Sequence, residues 1–500
     1  MRKRFEQQNS LDAKLIPDIK IDGKSRHQLS PLLAGLQYIF ITSGLNEAVF
    51  QILEKKILGG KKATGRIGMS LWEIFVLGVI RLNMDADYDA LYDLCNSHME
   101  VRGIMGVHTL QVFGERKYYP LQTIKDNVSL LDEATLQEIS EVVAKAGHEL
   151  KKKEKAKGST DIISLKLKTD TYAVETTIHF PTDINLLWDS VRKCLDTIEL
   201  TLKIYELAGW RKHKDWAKKA KRAYRAVADI HRKKGANYKE RLKKATKEYL
   251  SICQTLSKNI KQSLQTLRLT AAVDITLMGL EAELTYYYEM LEKHIDLVER
   301  RIIKGEQIPH SEKVFSIFEP HTEWLQKGKQ NNKVELGHNV LITTDQHHFI
   351  VDHKVLEKEV DVQQPIELSQ RLKQRFAQGY SLDSISFDRG FYSLPAKQSL
   401  NKDFTHVVMP KKGNKTVKQQ AEESAKTFVA LRNKHSAVES NINELEHSGV
   451  NKVPDKGIHG FKRYVAFGVL AYNIKRLGKL VIEQELLDTV IQPGKLRKAA

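Results

Sequence analysis

Two rhythms of apolar residues run through this chain, one with steps of three and four and one with steps of two. Residues 1–150 carry the first. Ser30-Pro31 ahead of Leu32-Leu33-Ala34-Gly35-Leu36 predicts an N-cap with proline at the first helical position. Ser70-Leu-Trp-Glu73 has the spacing of a capping box and opens onto Ile74-Phe-Val-Leu-Gly-Val-Ile80. Asp132 is placed to cap a helix through Leu136, Ile139 and Val143, and Gly59-Gly60 and the Gly103–Gly106 region punctuate these helices. The expectation is an all-helical N-terminal domain over 1–150, serving either as a DNA-end reader or as a dimerisation bundle. Lys151-Lys-Lys-Glu-Lys-Ala-Lys-Gly158 reads as a charged linker that closes it.

The rhythm of two begins at Ser164. Leu165, Leu167 and Thr169 alternate with polar positions, and a β-branched and aromatic run continues to Phe180, with Pro181 closing the segment. From Ile184 to Gly305 the helical rhythm returns. The stretch Arg211–Lys247 reads as one basic helix with Trp210, Trp216, Tyr224 and Tyr238 among its lysines. Leu277, Leu280, Leu284, Tyr287, Leu291, Ile295, Val298 and Ile302 form a coiled-coil-like seam flanked by Glu281, Glu283, Glu289, Glu292 and Glu299. β-structure is expected again at Lys313–Phe318, then as a hairpin from Lys333–Asp345 and His348–Val355. A helix over Pro365 to about Gln378, a strand Leu382–Phe387, a short strand Phe404–Met409 and helices at Lys426–His447 and Phe461–Gly478 follow. The fold class is α/β. Three strands, a helix, two strands and a helix match a ribonuclease-H-like (RNase H-like) domain over 159–183 and 306–480. It is interrupted by a helical, basic insertion over 184–305 and followed by a tail over 481–500.

Charge then narrows the partner. The formal net charge is +18, and Arg211–Lys247 holds sixteen Lys/Arg against Asp215, Asp229 and Glu240. An excess of thirteen is too large for the acidic seam helix alone to neutralise, so Lys218, Lys219, Lys221, Arg222 and Arg225 are expected to face a DNA backbone. Cys95, Cys194 and Cys253 are far apart with no CxxC pair, the reading of reduced thiols in a cytoplasmic protein. The apolar run Ile74–Ile80 is far too short to cross a membrane, and Met1-Arg-Lys-Arg-Phe-Glu6 has no apolar core of a signal peptide behind it.

The chemistry rests on three acids. Asp is a poor strand residue, so Asp170 within the β-rich run needs a reason. Asp388 stands where Ser384-Ile-Ser-Phe meets Arg389-Gly390, and Glu439 lies on the helix His435–Glu446. Two carboxylates at adjacent strand ends and a third on a helix packed over that edge suit Mg²⁺, which takes few carboxylates and leaves room for phosphate oxygens. Two such ions can activate an attacking oxygen and stabilise a leaving one. Glu175 lies on the opposite strand face and reads as structural, and Asp183 reads as the cap of the helix starting at Ile184. His347, His348 and His353 flank a turn and lack cysteine partners, so they do not read as a zinc site. Gly60-Lys-Lys and Lys412-Gly lack phosphate-loop spacing.

Seven stretches together resemble a DDE transposase of a bacterial insertion sequence, of the group catalogued as not classified yet (ISNCY). They are Met69-Ser-Leu-Trp-Glu-Ile, Thr169–Asp183, Phe315-Ser-Ile-Phe-Glu-Pro-His-Thr-Glu-Trp-Leu, Val334-Glu-Leu-Gly, Phe387-Asp-Arg-Gly-Phe, Ala437–Glu446 and Gly460–Asn473. The resemblance implies that Asp170, Asp388 and Glu439 are catalytic acids holding Mg²⁺, with Mn²⁺ able to substitute. It also implies double-stranded DNA as substrate, as inverted-repeat ends and as target. A homo-oligomer on DNA, associated with a bacterial nucleoid, follows from the same likeness. Where relatives carry Tyr, Arg and Lys around the Glu, this chain has Arg432, His435 and Glu446. At helical spacing these share a face with Glu439. Arg432 and His435 are expected to grip the scissile phosphate, and Lys411, Lys412 and Lys415 to supply the charge that Glu446 does not. The alternatives within these expectations are a structure-selective nuclease of the same fold and a non-catalytic DNA-binding derivative.

Overall fold

The computed structural model describes residues 2–8, 13–59, 68–107, 117–154, 162–270, 274–326 and 334–491. They divide into two compact units, one of Met1–Thr177 with Leu325–Ala500 and one of Ile178–Trp324.

The first unit opens with helices α1 (Leu29–Ile41), α2 (Ser43–Ile57), α3 (Leu71–Asn83), α4 (Tyr88–Ser97), α5 (Met99–Ile104), α6 (Leu121–Val128) and α7 (Glu133–Glu154). Ser70 caps α3 in a complete capping box with Glu73. The Asp132 carboxylate accepts the Thr135 N–H at 3.0 Å, as its position before α7 predicts. Ser30 is not a cap: α1 begins at Leu29 behind Gln28, and Ser30 is buried in the first turn, where Pro31 is tolerated because no N–H is needed there. Nor does the chain leave helix at Lys151, since α7 carries on to Glu154; the rest of the expected linker, 155–161, and Gly60 of the Gly59-Gly60 punctuation lie outside the described residues. These helices share their unit with the sheet. One cause is close backbone approach, since a Cβ on Gly35 of α1 would strike the Ile474 carbonyl and one on Gly478 the Pro31 carbonyl.

The sheet is built around β1 (Ile163–Thr176), which pairs antiparallel with β3 (Val334–Thr344). The chain comes back to this unit through the short strand β2 (Glu323–Gln326). β4 (Ile350–Val355) returns against β3 as a hairpin. β5 (Tyr380–Phe387) lies parallel to β1, β6 (His406–Val408) parallel to β5, and β7 (Lys452–Val453) parallel to the far end of β1. Between the strands come α12 (Gln364–Arg375), α13 (Leu394–Asp403), α14 (Val417–Ser424), α15 (Lys426–Asn433), α16 (Ser436–His447) and α17 (Gly457–Ile491).

One sheet face carries Tyr172, whose hydroxyl donates to the Val450 carbonyl at 3.1 Å, and His338, edge-on to Phe461 of α17. The other carries Asp352, held by Arg371 and Arg375 of α12. Asp170 has the parity of Tyr172 and shares its face. The single helix expected over Lys426–His447 is two, broken between Asn433 and Ser436, and α17 runs on into the expected tail.

In the second unit, α8 (Asp183–Thr201), α9 (His213–Lys233), α10 (Tyr238–Thr270) and α11 (Ile275–Val298) pack as a closed ring, each against its two neighbours. Val191 and Ile198, Val227, Cys253 and Leu256, and Leu284 and Leu291 fill its core. The basic stretch is two helices rather than one. Lys234, Gly235 and Asn237 all take positive φ, and Gly235 does so without a Cβ clash. The cap of α8 is Thr182, which accepts the Asn185 N–H; Asp183 is the first helical residue and pairs with Arg301 at 2.6 Å. No strand forms at Lys313–Phe318, because Ser316 Oγ accepts the N–H groups of Phe318 and Glu319 and bends the chain. No helix among the described residues is long and apolar enough to cross a membrane.

Candidate active site

The β1–β5 register sets the first two acids side by side. Thr169 pairs with Phe387 in a parallel ladder, so Asp170 and Asp388 are the next residues on neighbouring strands. Asp388 keeps extended backbone, φ −72° and ψ 168°, which continues the strand parity by one residue. Both carboxylates therefore rise from one face, with adjacent strands about 4.8 Å apart. Glu439 sits in the exposed first turn of α16, where the helix N-terminus favours an anion.

Burial pushes Asp170 up to about 6, against the pull of the Thr171 N–H; Asp388, Glu439 and Asp361 each push it further. Asp388, Glu439 and Asp361, encoded far apart, are thus each within electrostatic reach of Asp170. Asp170, Asp388 and Glu439 form no ion pair among the described residues. Three unpaired carboxylates are a hard-oxygen donor set that fits a divalent cation. As they stand, no three His, Cys, Asp or Glu among the described residues are gathered tightly enough to enclose one.

His435 belongs to the same place. Its Nδ1 lies 3.0 Å from Ser386 Oγ, two residues before Asp388 and on the same strand face. Burial lowers its pKa, while Asp388 and Glu439 raise it and Lys168 lowers it again. Arg432 is exposed on α15, so the helix break removes the continuous face assumed for Arg432, His435, Glu439 and Glu446. Glu446 is half-buried near the Tyr172 hydroxyl, which burial and that carboxylate push upward. Lys411 Nζ donates to Gln419 at 3.2 Å, Lys412 is exposed, and Lys415 is taken up by Glu423 at 2.5 Å. Lys218, Lys219, Lys221, Arg222 and Arg225 all project from α9 as exposed cations in no ion pair among the described residues, Lys219 standing over the Trp216 ring. In the ring of helices α9 packs on α8 and α10, so the acidic seam of α11 is not its neighbour.

Two residues escaped the sequence reading. Lys168 shares the Asp170 face two positions earlier and donates to the Asp345 carbonyl at 3.0 Å; strand alternation is the signal that finds it. Asp361 sits in a short helical turn, its Oδ2 3.5 Å from where a Cβ would stand on Gly390. In sequence it looks like any acid ahead of a helix.

Residues 303–474 match the family model described as a transposase DDE domain. The match supports a DDE transposase, and it spans Asp388 and Glu439 but not Asp170. No curated protein and no solved structure matches.

Proposed function

We propose that this chain is an insertion-sequence DDE transposase, of the ISNCY-like group, with an RNase H-like catalytic domain. It would bind the element's inverted-repeat ends as double-stranded DNA and cut and join strands there. The observation that carries the reading is the β1–β5 register, which seats Asp170 beside Asp388 with Glu439 in electrostatic reach. The order β4-β3-β1-β5-β6, with three antiparallel strands followed by two parallel ones, supports the RNase H-like assignment.

Asp170, Asp388 and Glu439 would hold Mg²⁺, with Mn²⁺ able to substitute. When bound, such ions polarise an attacking water or 3′-hydroxyl and stabilise the leaving oxygen. The chain's own residues prepare the rest. The strand ends fix two carboxylates, and the first turn of α16 presents the third toward a phosphodiester. His435, tethered to Ser386, orients beside the reacting group. The α9 cations Lys218, Lys219, Lys221, Arg222 and Arg225 hold backbone phosphates, with Lys412 and Arg432 as further exposed cations. The element ends are brought together by a homo-oligomer on DNA, in the bacterial cytoplasm. The joining step uses a DNA hydroxyl, so no covalent protein–DNA intermediate forms.

The test is a linear DNA carrying the sequences that flank the gene, incubated with the protein, Mg²⁺ and a target plasmid. Cleavage at inverted-repeat boundaries and joined products are expected. Cleavage without joining would make the chain a nuclease. Binding without either would make it a non-catalytic derivative.

A further inference from the structure

The face of β1 that carries Asp170 does not end with the acids. Lys166, Lys168 and Asp170 alternate onto it, and strand rise puts Lys166 about 13 Å before Asp170. There the face runs into a cavity of about 420 Å³. Lys166 lines it from the strand, Lys151 and Lys152 from the last turn of α7, and His347 from the β3–β4 turn. Gln346 ties this turn to β1, accepting the Lys166 N–H and donating to the Ser164 carbonyl, both at 2.9 Å. Lys434 lines the cavity from the break between α15 and α16. The next residue is His435, tethered to Ser386, which pairs with Lys168 in the β1–β5 register. The helix break thus gives one side chain to the cavity and its neighbour to the acid site.

Four lysines line this space, and no carboxylate among the described residues does. Lys166 has Asp383 at 4.0 Å, the limit of pairing, and Asp383 lies outside the lining. Lys434 is exposed and in no ion pair among the described residues. Lys168 is buried on the same face; burial lowers its pKa, Asp345 raises it and Lys434 lowers it again. The Asp345 carboxylate is itself taken by His148 and the His347 and Phe349 N–H groups. Like charges gathered in a concave space repel, and a bound anion removes that cost. On the DNA reading above, the anion that can reach this space along the face of the acids is a phosphate of the strand being cut. We propose that the cavity is a second phosphate site, in which Lys166 and Lys434 hold a DNA phosphate to one side of the scissile bond. It rests on the DNA reading and adds a register to it, setting which phosphodiester lies over Asp170 and Asp388.

The experiment uses the full-length chain and a duplex carrying the sequence that flanks the gene, with single neutral methylphosphonates placed one at a time along each strand. In the wild type, one position beside the cut is expected to weaken binding. Lys166→Gln with Lys434→Gln, both at exposed positions, should lower the slope of log affinity against log salt by about 1.8 and abolish the response to that methylphosphonate. Cleavage by this variant in Mg²⁺ should spread to neighbouring phosphodiesters. Lys166→Arg with Lys434→Arg keeps both charges and should restore the wild-type slope. A Gln variant whose slope and methylphosphonate profile match the wild type overturns the site, while duplex binding leaves the DNA reading standing. A lowered slope with cleavage still confined to one bond overturns the register. Inorganic pyrophosphate that binds the wild type as tightly as the duplex, and the Gln variant more weakly, overturns the DNA role in favour of a free phosphorylated ligand. A wild type that binds no duplex removes the DNA reading and the register together.

Discussion

Asp170 and Asp345 stand on neighbouring strands of one sheet and face opposite fates. Asp345 is fully buried at the end of β3, and burial alone would push it up. It is instead held below the usual carboxylate range, because His148 bonds one oxygen at 2.5 Å and the His347 and Phe349 N–H groups donate to the other. Asp170 is less buried, yet it is pushed up to about 6. It receives one donor, the Thr171 N–H, and Asp388, Glu439 and Asp361 push it further up. The protein completes the solvation of Asp345 and leaves that of Asp170 to something from outside. The two carboxylates differ in how many hydrogen-bond donors the fold itself turns toward them.

The widest separation between the two should appear in activity. Asp170→Ala, Asp388→Ala and Glu439→Ala should each reduce DNA cleavage in Mg²⁺ on the order of 10³-fold or more while the chain stays folded. Near-normal cleavage by any of the three in a nicking assay would remove that residue from the site. Glu175→Ala and Asp183→Ala are the controls and should keep most activity, Asp183→Ala losing only an exposed-side pairing with Arg301.

Stability should separate them in the opposite sense. Asp345→Ala breaks a buried pair and leaves His148 without its partner, so denaturant unfolding should show a loss of about 3–5 kcal/mol. Asp170→Asn should stabilise. Its folded pKa lies above the ordinary 3.8, so the folded state holds the extra proton between about pH 4 and 6. The wild type, free of divalent ions, therefore loses stability as pH rises through that window, by up to about 3 kcal/mol. The variant should lack that decline and be the more stable above pH 6. A wild-type melt flat from pH 4 to 7 would show that burial and the neighbouring acids do not raise Asp170.

The smallest effect concerns the other unit. Replacing Lys218, Lys219, Lys221 and Arg222 with Gln keeps helix propensity and should lower the slope of log affinity against log salt by about 2–3. Specific and unrelated duplexes should weaken alike, since phosphate contacts carry no sequence information. An unchanged slope would make α9 a solvated face.

Asp170 and Asp388 stood out as candidates because each sits awkwardly in its segment, one inside a strand and one at a strand end before Arg389-Gly390; Glu439 breaks no local rule and was singled out only in their company. The Ser70 capping box, the Asp132 cap and the β3–β4 hairpin were legible because their signals are local. What escaped was set at a distance. Ser30-Pro31 looks like a cap, but α1 already begins at Leu29 and Ser30 lies buried in its first turn, in a helix that packs closely on α17. Arg432 looked continuous with Glu439 because no Gly or Pro marks the break before His435, a residue whose ring is anchored on Ser386 across the fold. Asp361 and Lys168 become part of the site only through strand register and turn packing, which no single segment encodes.

The measurement that bears most directly on the shared acid site is Mn²⁺ titration of the full-length chain by calorimetry, without DNA, in wild type and in Asp170→Asn, Asp388→Asn and Glu439→Gln. If the three carboxylates form one cation site, the wild type binds Mn²⁺ and each variant loses at least about tenfold in affinity, with Asp345 left intact as the internal comparison. Wild-type binding that all three variants retain unchanged would contradict the site.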